Sequence, residues 1–339
     1  MGSRRDEGWR DRAAIELLGK VLATEPLEGP ALLVDYPEAR ELPVAGEVVQ
    51  HRWDRVDGEF DAGAPWPVGE AFRSAFLRLP RSRESLEFAL HATASVLLPG
   101  APVFVFGAKD EGIGSTAPRM ESVLEGVASL ATGGRCRVLR GYRDSEREGL
   151  RGRLEDWREV GMVDLGLGPR PWTRYPGTFA RRGLDPGTSL LLAHLPDFHA
   201  GGRVLDFGAG TGVLAAGVRN RDPEARLILV EPDALSRAAA VENVPGATFA
   251  SIRSWPEEGP FDAVVSNPPY HQGKSETLAV VGQLISGARA CLAPKGELRL
   301  VLQRRHPVEP SLQRSFRSVK VVADEGPYRV WAASGAEPG

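Results

Sequence analysis

The stretch that decides the fold is residues 203–212, RVLDFGAGTG, in which a short apolar segment runs into a glycine-rich turn. Residues 203–207 predict a buried strand, and residues 211–221 have the apolar spacing of a helix. A strand that enters a helix through several glycines is typical of doubly wound α/β proteins with nucleotide-like ligands, because glycine allows close backbone approach. We therefore expect a parallel sheet with a ligand loop at the carboxyl end of this strand.

The rest of the second half continues this alternation. Apolar runs predict further strands at 225–231, 247–252, 261–266, 296–303, 318–323 and 328–333, and helices that begin at Asp233 and cover 275–292. Strands that alternate with helices imply an α/β fold with a mostly parallel, doubly wound sheet.

The first half repeats the same rhythm in a weaker form. Apolar runs predict strands at 31–35, 72–79 and 103–106. The segment FRSAFLRLP at 72–80 is also similar to FDAVVSNPP at 261–269. These matches predict that the chain contains an internal duplication.

The duplication predicts two domains, at 1–165 and 166–339, divided in a region where glycine and proline cluster. The first domain is predicted to be degenerate. Its first strand runs into Tyr36-Pro37-Glu38 rather than into glycines, and side chains with a proline prevent close approach of a ligand to the backbone. We therefore expect a cofactor site in the second domain alone.

Composition excludes several classes of protein. A length of 339 residues with 42% hydrophobic and 26% charged residues is ordinary for two globular domains. No apolar run approaches the roughly 20 residues that span a bilayer, so we expect no membrane segment. The two cysteines are far apart, which argues against a disulfide framework and a cysteine-based zinc site and favours a cytoplasmic location. The net charge of −3 gives no basic footprint for the chain as a whole.

The glycine spacing indicates which ligand the loop takes. The dinucleotide fingerprint would place its third glycine one residue after Gly212, whereas the spacing here is G-x-G-x-G with Asp206 two residues before Gly208. This version suits S-adenosylmethionine: Gly208, Gly210 and Gly212 let the backbone meet the methionine part, and Asp206 can orient its ammonium group. Glu231, at the end of the next strand, can accept hydrogen bonds from both ribose hydroxyls. The alternatives are a glycine turn without a ligand and a solvated glutamate.

Residues 266–270, SNPPY, follow the fourth strand directly and carry the sharpest chemical signal. The side-chain oxygen of Asn267 and the carbonyl of Pro268 can both accept hydrogen bonds from one planar NH2 group. Pro269 helps to fix the backbone, and Tyr270 offers a ring on which a flat base can stack. Holding both hydrogens frees the nitrogen lone pair for a methyl group, so we predict these four residues as catalytic. The alternative is a Pro-Pro turn without a function.

Two segments carry a resemblance to a known family. The SNPPY segment resembles the N-P-P-[FY] motif of class I S-adenosylmethionine-dependent methyltransferases. Residues 175–192, YPGTFARRGLDPGTSLLL, resemble the P-G-x-F-S-x-x-G-L-D-x-G-[ST]-x-x-L-L segment of the bacterial ribosomal RNA guanine-N2 methyltransferases of the RsmC/RlmG type. The resemblance covers about 170–335 and extends more weakly to 105–112. The family's serine is Ala180 here.

The resemblance implies two tandem Rossmann-like methyltransferase domains, of which the N-terminal one does not bind S-adenosylmethionine. It implies methyl transfer to the exocyclic N2 of a guanine in ribosomal RNA, in the small subunit. In that family the 175–192 segment closes over the cofactor. With the loop residues and Glu231, the predicted cofactor contacts are Thr178, Phe179, Asp233, Ser251 and Asn267.

Three arginine-rich stretches are candidate RNA contacts. Residues 170–183 interleave four arginines with Trp172, Tyr175 and Phe179, a pattern that suits RNA and equally suits a solvated loop over core aromatics. Residues 135–158 hold eight arginines and five acids, which favours a solvated helical face. The third candidate patch comprises Arg304, Arg305, Arg314, Arg317 and Lys320.

The sequence thus favours an enzyme that methylates N2 of a guanine in ribosomal RNA, with S-adenosylmethionine as its cofactor. The alternatives are methylation of adenine N6 or of a protein glutamine, and an RNA-binding assembly factor with a vestigial site. We expect ribosomal RNA or a ribosomal subunit as the partner, no metal, and a monomer. The first domain would supply RNA docking or structural support.

Overall fold

The computed structural model describes residues 8–24, 27–36, 43–53, 63–69, 71–144, 148–178, 183–268 and 274–336. The chain divides into two compact units, and the second begins at Glu159 rather than at the predicted 166. The difference arises because residues 159–174 form a hairpin that packs on the second unit. Among the residues described, no helix is long and apolar enough to cross a lipid bilayer.

The first unit contains a six-stranded sheet within its described residues. Its helices and strands, in chain order, are α1 (Trp9–Leu22), β1 (Leu27–Glu28), β2 (Ala31–Val34), β3 (Val44–Ala45), β4 (Val48–His51), β5 (Ser74–Arg78), α2 (Arg83–Ser95), β6 (Pro102–Ala108), α3 (Ala117–Met120), β7 (Leu124–Gly133) and β8 (Cys136–Arg143). The strand order is β4-β2-β5-β6-β8-β7. Strands β4, β2, β5 and β6 are parallel to one another, and β8 is antiparallel to both of its neighbours, β6 and β7. Strand β1 pairs separately with β3.

The second unit contains a seven-stranded sheet of the same kind. Its helices and strands are β9 (Glu159–Asp164), β10 (Pro169–Arg174), α4 (Pro186–Ala193), β11 (Arg203–Phe207), α5 (Val213–Arg221), β12 (Arg226–Val230), α6 (Ala234–Asn243), β13 (Thr248–Phe249), β14 (Phe261–Ser266), α7 (Lys274–Cys291), β15 (Leu292–Gln303), α8 (Glu309–Ser315), β16 (Phe316–Glu325) and β17 (Tyr328–Ala336). The order is β13-β12-β11-β14-β15-β17-β16. Strand β17 runs antiparallel between β15 and β16, and the strands before it are parallel.

Both faces of the second sheet are covered, which is why its strands read as continuous apolar runs. In β11, Leu205 and Phe207 point into a core that contains residues of α7 and α8. Val204, with the opposite orientation, points into a core that contains residues of α4, α5 and α6. The predicted doubly wound arrangement is therefore present in this unit.

The two sheets have the same strand order, except that the second sheet has one additional edge strand, β13. Strand β2 occupies the place of β11, β5 that of β14, and β6 that of β15. The two segments that the sequence comparison matched, 72–80 and 261–269, thus contain strands in the same position of each sheet. This shared topology agrees with the predicted duplication.

The first unit fills the corresponding positions with its own side chains. Tyr36, just after β2, is fully buried and lies 5.7 Å from Phe106 between ring centroids. Arg78, which the matched segments align with Asn267, is 7% exposed. Its guanidinium group donates to Asp11 at 2.8 Å and to Glu111 at 2.7 Å. The end of β5 in this unit is therefore closed by an ion-pair cluster around the buried Arg78 side chain.

The prediction of a solvated helical face within 135–158 is wrong. Cys136–Arg143 forms strand β8, which pairs with both β6 and β7. The arginines masked the buried positions of this strand, such as Val138 and Leu139, because a long arginine stem can lie along a sheet as readily as along a helix. Further along, the Arg151 guanidinium lies 3.6 Å from the centroid of the Trp157 ring, a contact within the protein.

Replacing Arg78 tests the ion-pair cluster. Arg78→Met keeps much of the side-chain volume but leaves Asp11 and Glu111 without their cation. Loss of one partner from a buried pair costs roughly 3–5 kcal/mol, and we expect about 3 kcal/mol because both acids are partly exposed. Urea unfolding measures the change. The exposed Arg81→Ala serves as the control, and equal stability of the two variants would contradict the assignment.

Candidate active site

The predicted site residues meet at one edge of the second sheet. Strands β11, β12 and β14 are parallel, so their carboxyl ends share an edge. The glycine turn follows β11, Glu231 follows β12 and Asn267 follows β14. The Ser266 hydroxyl donates to the Phe207 carbonyl at 2.7 Å, which ties β14 to β11 at that edge.

The glycine turn adopts a backbone that other residues rarely take. Gly208, Gly210 and Gly212 have φ of +71°, +55° and +89°, in the left-handed region that favours glycine. A Cβ at Gly212 would lie 2.6 Å from Cγ2 of Val244, so this glycine is also packed against α6. A Cβ at Gly210 would meet no atom within 4 Å. The turn is therefore tight on one side and open at Gly210.

Strand β10 and helix α6 hold the glycine turn in place. The Trp172 indole donates to Oγ1 of Thr211 at 3.0 Å. The Asn243 amide donates to the Thr211 carbonyl at 3.0 Å and to the Thr173 carbonyl at 2.9 Å. The turn is thus fixed by side chains from both sides, and neither Trp172 nor Asn243 was among the predicted site residues.

The aromatics of 170–183 are part of the core in the described residues. Trp172 is 1% exposed and Tyr175 is 7% exposed, and the Tyr175 hydroxyl donates to Oε1 of Glu242 at 3.1 Å. These rings are therefore unavailable for stacking with RNA bases, and for them the core alternative is correct. Phe179, a predicted cofactor contact, lies outside the described residues, as do Arg181 and Arg182.

Asp206 presents a buried acceptor. Its Oδ2 accepts from the backbone N–H of Ala215, in the first turn of α5, at 3.0 Å. Its Oδ1 is buried and accepts no hydrogen bond from the part of the chain that the structure describes. Burial raises the pKa of Asp206 to about 7, against the hydrogen bond from Ala215, which lowers it. A buried acceptor of this kind requires a donor.

Glu231 joins the second strand to the glycine turn. Its Oε2 accepts from the Gly210 N–H at 2.7 Å, and its Oε1 accepts from the Asp233 N–H at 2.8 Å. Each oxygen keeps a further lone pair for a ligand. Burial, followed by the charge of Asp233, raises the pKa of Glu231 to about 8.

Asn267 presents the second buried acceptor. Its Nδ2 donates to Oδ2 of Asp185 at 2.9 Å and to Oγ1 of Thr188 at 2.7 Å. Its Oδ1 is buried and has no partner among the described residues. Pro268 is buried directly after it, while Pro269 and Tyr270, which were predicted to be catalytic, lie outside the described residues.

The other predicted contacts have local roles in the structure. Asp233 caps α6, since its Oδ1 accepts from the Ser236 N–H at 2.7 Å. The Thr178 hydroxyl is buried and donates to the Tyr175 carbonyl at 2.8 Å. Ser251 lies just beyond β13, and its hydroxyl accepts from the Arg253 N–H at 3.3 Å.

The acceptor atoms of this site fit a ligand that brings N–H groups to this edge. Asp206 Oδ1 and Asn267 Oδ1 are both buried acceptors, and they belong to neighbouring strands in which Asp206 lies opposite Val265. The open side of Gly210 leaves room beside them. These features suit the ammonium group of S-adenosylmethionine and a planar NH2 group. The described residues contain no group of three or more His, Cys, Asp or Glu that could hold a metal ion.

Asp185 and Thr188 were quoted in the sequence motif but were not assigned a role. The signal that could have marked Asp185 is its place before Pro186 in D-P-G-T, a pattern typical of a helix N-terminus. The structure confirms this cap, because Oδ2 of Asp185 accepts from the Thr188 N–H at 2.9 Å. Their contact with Asn267 could not be read from the pattern.

Comparisons with known proteins agree with this architecture. The family model of the methyltransferase small domain matches residues 172–332, and that of its N-terminal domain matches residues 47–158. Ribosomal RNA small subunit methyltransferase C of Pectobacterium atrosepticum is 33% identical over 264 residues, which are 76% of this chain and 73% of that protein. The protein of the same name from Shewanella loihica is 28% identical over 322 residues, 94% of this chain and 91% of that protein.

A solved structure matches along both units. The 16S rRNA N2 G1207 methyltransferase of T. thermophilus, in complex with AdoMet and guanosine, superposes with a TM-score of 0.78 at 23% identity. The match covers 97% of this chain and 93% of that chain. It confirms the predicted fold class, two tandem methyltransferase domains.

The raised pKa values predict how stability depends on pH. Asp206 and Glu231 have ordinary values of 3.8 and 4.5, which rise to about 7 and about 8 in the folded protein. Between these limits the folded state binds more protons than the unfolded state, so their contribution to the unfolding free energy falls as pH rises from about 4 to about 8.

Asp206→Asn removes one of these titrations without changing the side-chain shape. We expect the ligand-free wild-type protein to lose more thermal stability between about pH 5.5 and about pH 8.5 than this variant does. Melting temperatures of both proteins at each pH measure the difference. Identical slopes would show that Asp206 is ionised across the whole range.

Proposed function

The chain belongs to the family of ribosomal RNA small subunit methyltransferase C, and on that premise we propose that it methylates small-subunit ribosomal RNA. The reaction is transfer of the methyl group of S-adenosylmethionine to the exocyclic N2 of a guanine. The relatives carry small-subunit ribosomal RNA in their name, and the T. thermophilus enzyme was solved with AdoMet and guanosine. The partner is therefore ribosomal RNA, and the cytoplasm is where that substrate occurs.

The observation that carries the proposal is the buried Oδ1 of Asn267 just after β14, which has no partner among the residues that the structure describes. An amide oxygen accepts and cannot donate, so it requires a hydrogen-bond donor from the ligand, and the N–H of an amine is one such donor. Together with the carbonyl of Pro268, it can hold both hydrogens of one planar amine. Holding both hydrogens out of the plane of the base reduces delocalisation of the nitrogen lone pair into the ring and leaves it available for the incoming methyl group.

The cofactor residues have separate tasks in this proposal. The cofactor, when bound, supplies an electrophilic methyl group on a sulfonium. Oδ1 of Asp206 accepts from its ammonium group, and Glu231 accepts from its ribose hydroxyls with the lone pairs that Gly210 and Asp233 leave over. Gly208, Gly210 and Gly212 let the backbone approach it. Asp233 and Ser251 follow β12 and β13 at the same edge, and with Thr178 they are the further cofactor contacts of this proposal.

The chain requires no strong base for this reaction. The methylated nitrogen carries a positive charge before it releases a proton, and such a nitrogen is acidic enough to lose the proton to water. The work of the protein is to position the amine and the cofactor and to exclude water. We assign RNA docking or structural support to the first unit, where the ion-pair cluster of Arg78 occupies the end of β5.

Asn267→Ala tests the acceptor. The variant loses the oxygen that holds the substrate amine, and we expect kcat to fall by roughly 100-fold or more, as for loss of one positioned hydrogen-bonding group in an active site. The assay uses labelled S-adenosylmethionine with purified small ribosomal subunits and with naked ribosomal RNA, followed by nucleoside identification. The control is the exposed Gln313→Ala, which should retain wild-type activity.

The nucleoside assay also separates the alternatives. N2-methylguanosine supports the proposal, whereas N6-methyladenosine or methylated protein would replace it with another planar amine as the substrate. Absence of any methyl transfer by the wild-type protein, with no cofactor binding in calorimetry, would favour an RNA-binding assembly factor.

Asp206→Asn tests the cofactor site. The substitution keeps the shape but removes the charge, and a hydrogen bond to a charged group contributes about 1.5–3 kcal/mol. We expect S-adenosylmethionine to bind roughly 10- to 100-fold more weakly, measured by isothermal titration calorimetry. Asp262→Asn is the matched control: Asp262 also accepts from a backbone N–H, that of Arg203 at 2.8 Å, but lies at the opposite edge of the sheet. Equal affinities in the two variants would contradict the assignment.

A further inference from the structure

We propose that Asp185 and Thr188 are positioning residues that hold the Asn267 side chain with its oxygen toward the substrate amine. This inference rests on the proposed function and extends it to two residues at the start of α4. They do not touch the substrate in this proposal. They act through Asn267 and determine which end of its amide the substrate meets.

The hydrogen bonds allow one orientation of the amide. The Asn267 Nδ2 has two hydrogens, and it donates to Oδ2 of Asp185 at 2.9 Å and to Oγ1 of Thr188 at 2.7 Å. A carboxylate accepts and cannot donate. Rotating the amide by half a turn would place Oδ1 of Asn267 against Oδ2 of Asp185, two electron-rich oxygens without a hydrogen between them. The carboxylate therefore excludes the rotated amide.

The Thr188 hydroxyl completes this arrangement. Its single hydrogen points to Oδ2 of Asp185, at 3.3 Å. Its lone pairs are then free to accept the second amide hydrogen of Asn267. Every donor among these three side chains has an acceptor, and the buried group left over without a partner in the described part of the chain is Oδ1 of Asn267. This leftover group is the acceptor that the proposed reaction requires.

Contacts at both ends of α4 fix the position of Asp185 and Thr188, from which they orient Asn267. Oδ2 of Asp185 also accepts from the Thr188 N–H at 2.9 Å, which caps the helix. A Cβ at Gly187 would lie 3.0 Å from Cε1 of Tyr328 in β17, so the helix packs closely on the sheet. At the other end, the Arg299 guanidinium donates to the carbonyl of His194, the residue that follows the helix.

This geometry has two chemical consequences. Donation of both amide hydrogens, one of them to a carboxylate, polarises the amide and makes Oδ1 of Asn267 a stronger acceptor. The charge of Asp185 also lies behind Asn267, where it favours the positive charge that the substrate nitrogen gains during transfer. Without these partners the amide can rotate and present its NH2 to the substrate NH2. The loss should therefore appear in kcat and leave cofactor affinity unchanged.

Thr188→Val is the central test, because valine has nearly the shape of threonine but cannot accept the Asn267 hydrogen. We expect kcat for guanine N2 methylation to fall roughly 10-fold or more, the scale of one hydrogen bond of about 1.4 kcal/mol. The affinity for S-adenosylmethionine and the KM for RNA should change by less than about twofold. Thr188→Ser, which restores the hydroxyl, should recover most of kcat relative to the valine variant.

Two further variants separate positioning from stability. Asp185→Ser keeps a helix-capping oxygen but removes the carboxylate, and we expect it to lower kcat as Thr188→Val does. Ser189→Ala changes an exposed hydroxyl on the same helix and should behave as the wild type. Equal kcat in Thr188→Val and Ser189→Ala would overturn the proposal. So would a loss that the serine variant at 188 does not recover.

A spectroscopic measurement makes this inference testable apart from the reaction. The two Asn267 side-chain N–H resonances, identified by their absence in Asn267→Ala, should exchange slowly with solvent in the wild type and faster in Thr188→Val. Slow exchange without any guanine methylation would mean that the proposed function fails while the positioning holds. Methylation by a protein whose Asn267 N–H groups exchange freely would mean that the proposed function holds and the positioning inference fails.

Discussion

The parallel pairing of β11 with β14 is the constraint on which the candidate site depends. The register places Asp206 opposite Val265, and the Ser266 hydroxyl bonds the Phe207 carbonyl at 2.7 Å. The glycine turn and Asn267 therefore leave the sheet at the same edge. The Oδ1 atoms of Asp206 and Asn267 at this edge are buried and have no partner among the residues described, and a buried acceptor of this kind requires a donor from a ligand.

The two units carry different chemical groups at the ends of equivalent strands, β5 and β14. In the second unit, β14 is followed by Asn267, whose amide oxygen has no partner within the described ranges. In the first unit the equivalent strand ends in Arg78, whose charge is satisfied by Asp11 and Glu111. One arrangement is open to a ligand and the other is closed by the chain itself. A duplicated fold can thus retain its topology while the groups at the ends of equivalent strands differ in whether the chain itself satisfies them.

Local patterns predicted the parallel strands of the second sheet and the chemistry at their ends, because burial on both faces produces apolar runs and the turn residues follow them directly. The same reasoning failed where arginines hide a pattern: 136–143 is a strand that was expected to be helical. The sequence patterns also did not decide whether the aromatic residues near Trp172 contact RNA or pack in the core. Their burial depends on Asn243, Glu242 and Thr211, residues far away in the chain.

The sequence by itself determined the class of fold, the glycine turn and the identity of Asn267, since each is encoded within a few consecutive residues. The tertiary structure alone decided how Asn267 is oriented. Its amide hydrogens are taken by Asp185 and Thr188, which lie 82 and 79 residues earlier in the chain. The side of an amide that remains for a ligand is set by its neighbours in space, because its two ends differ only in whether they donate or accept.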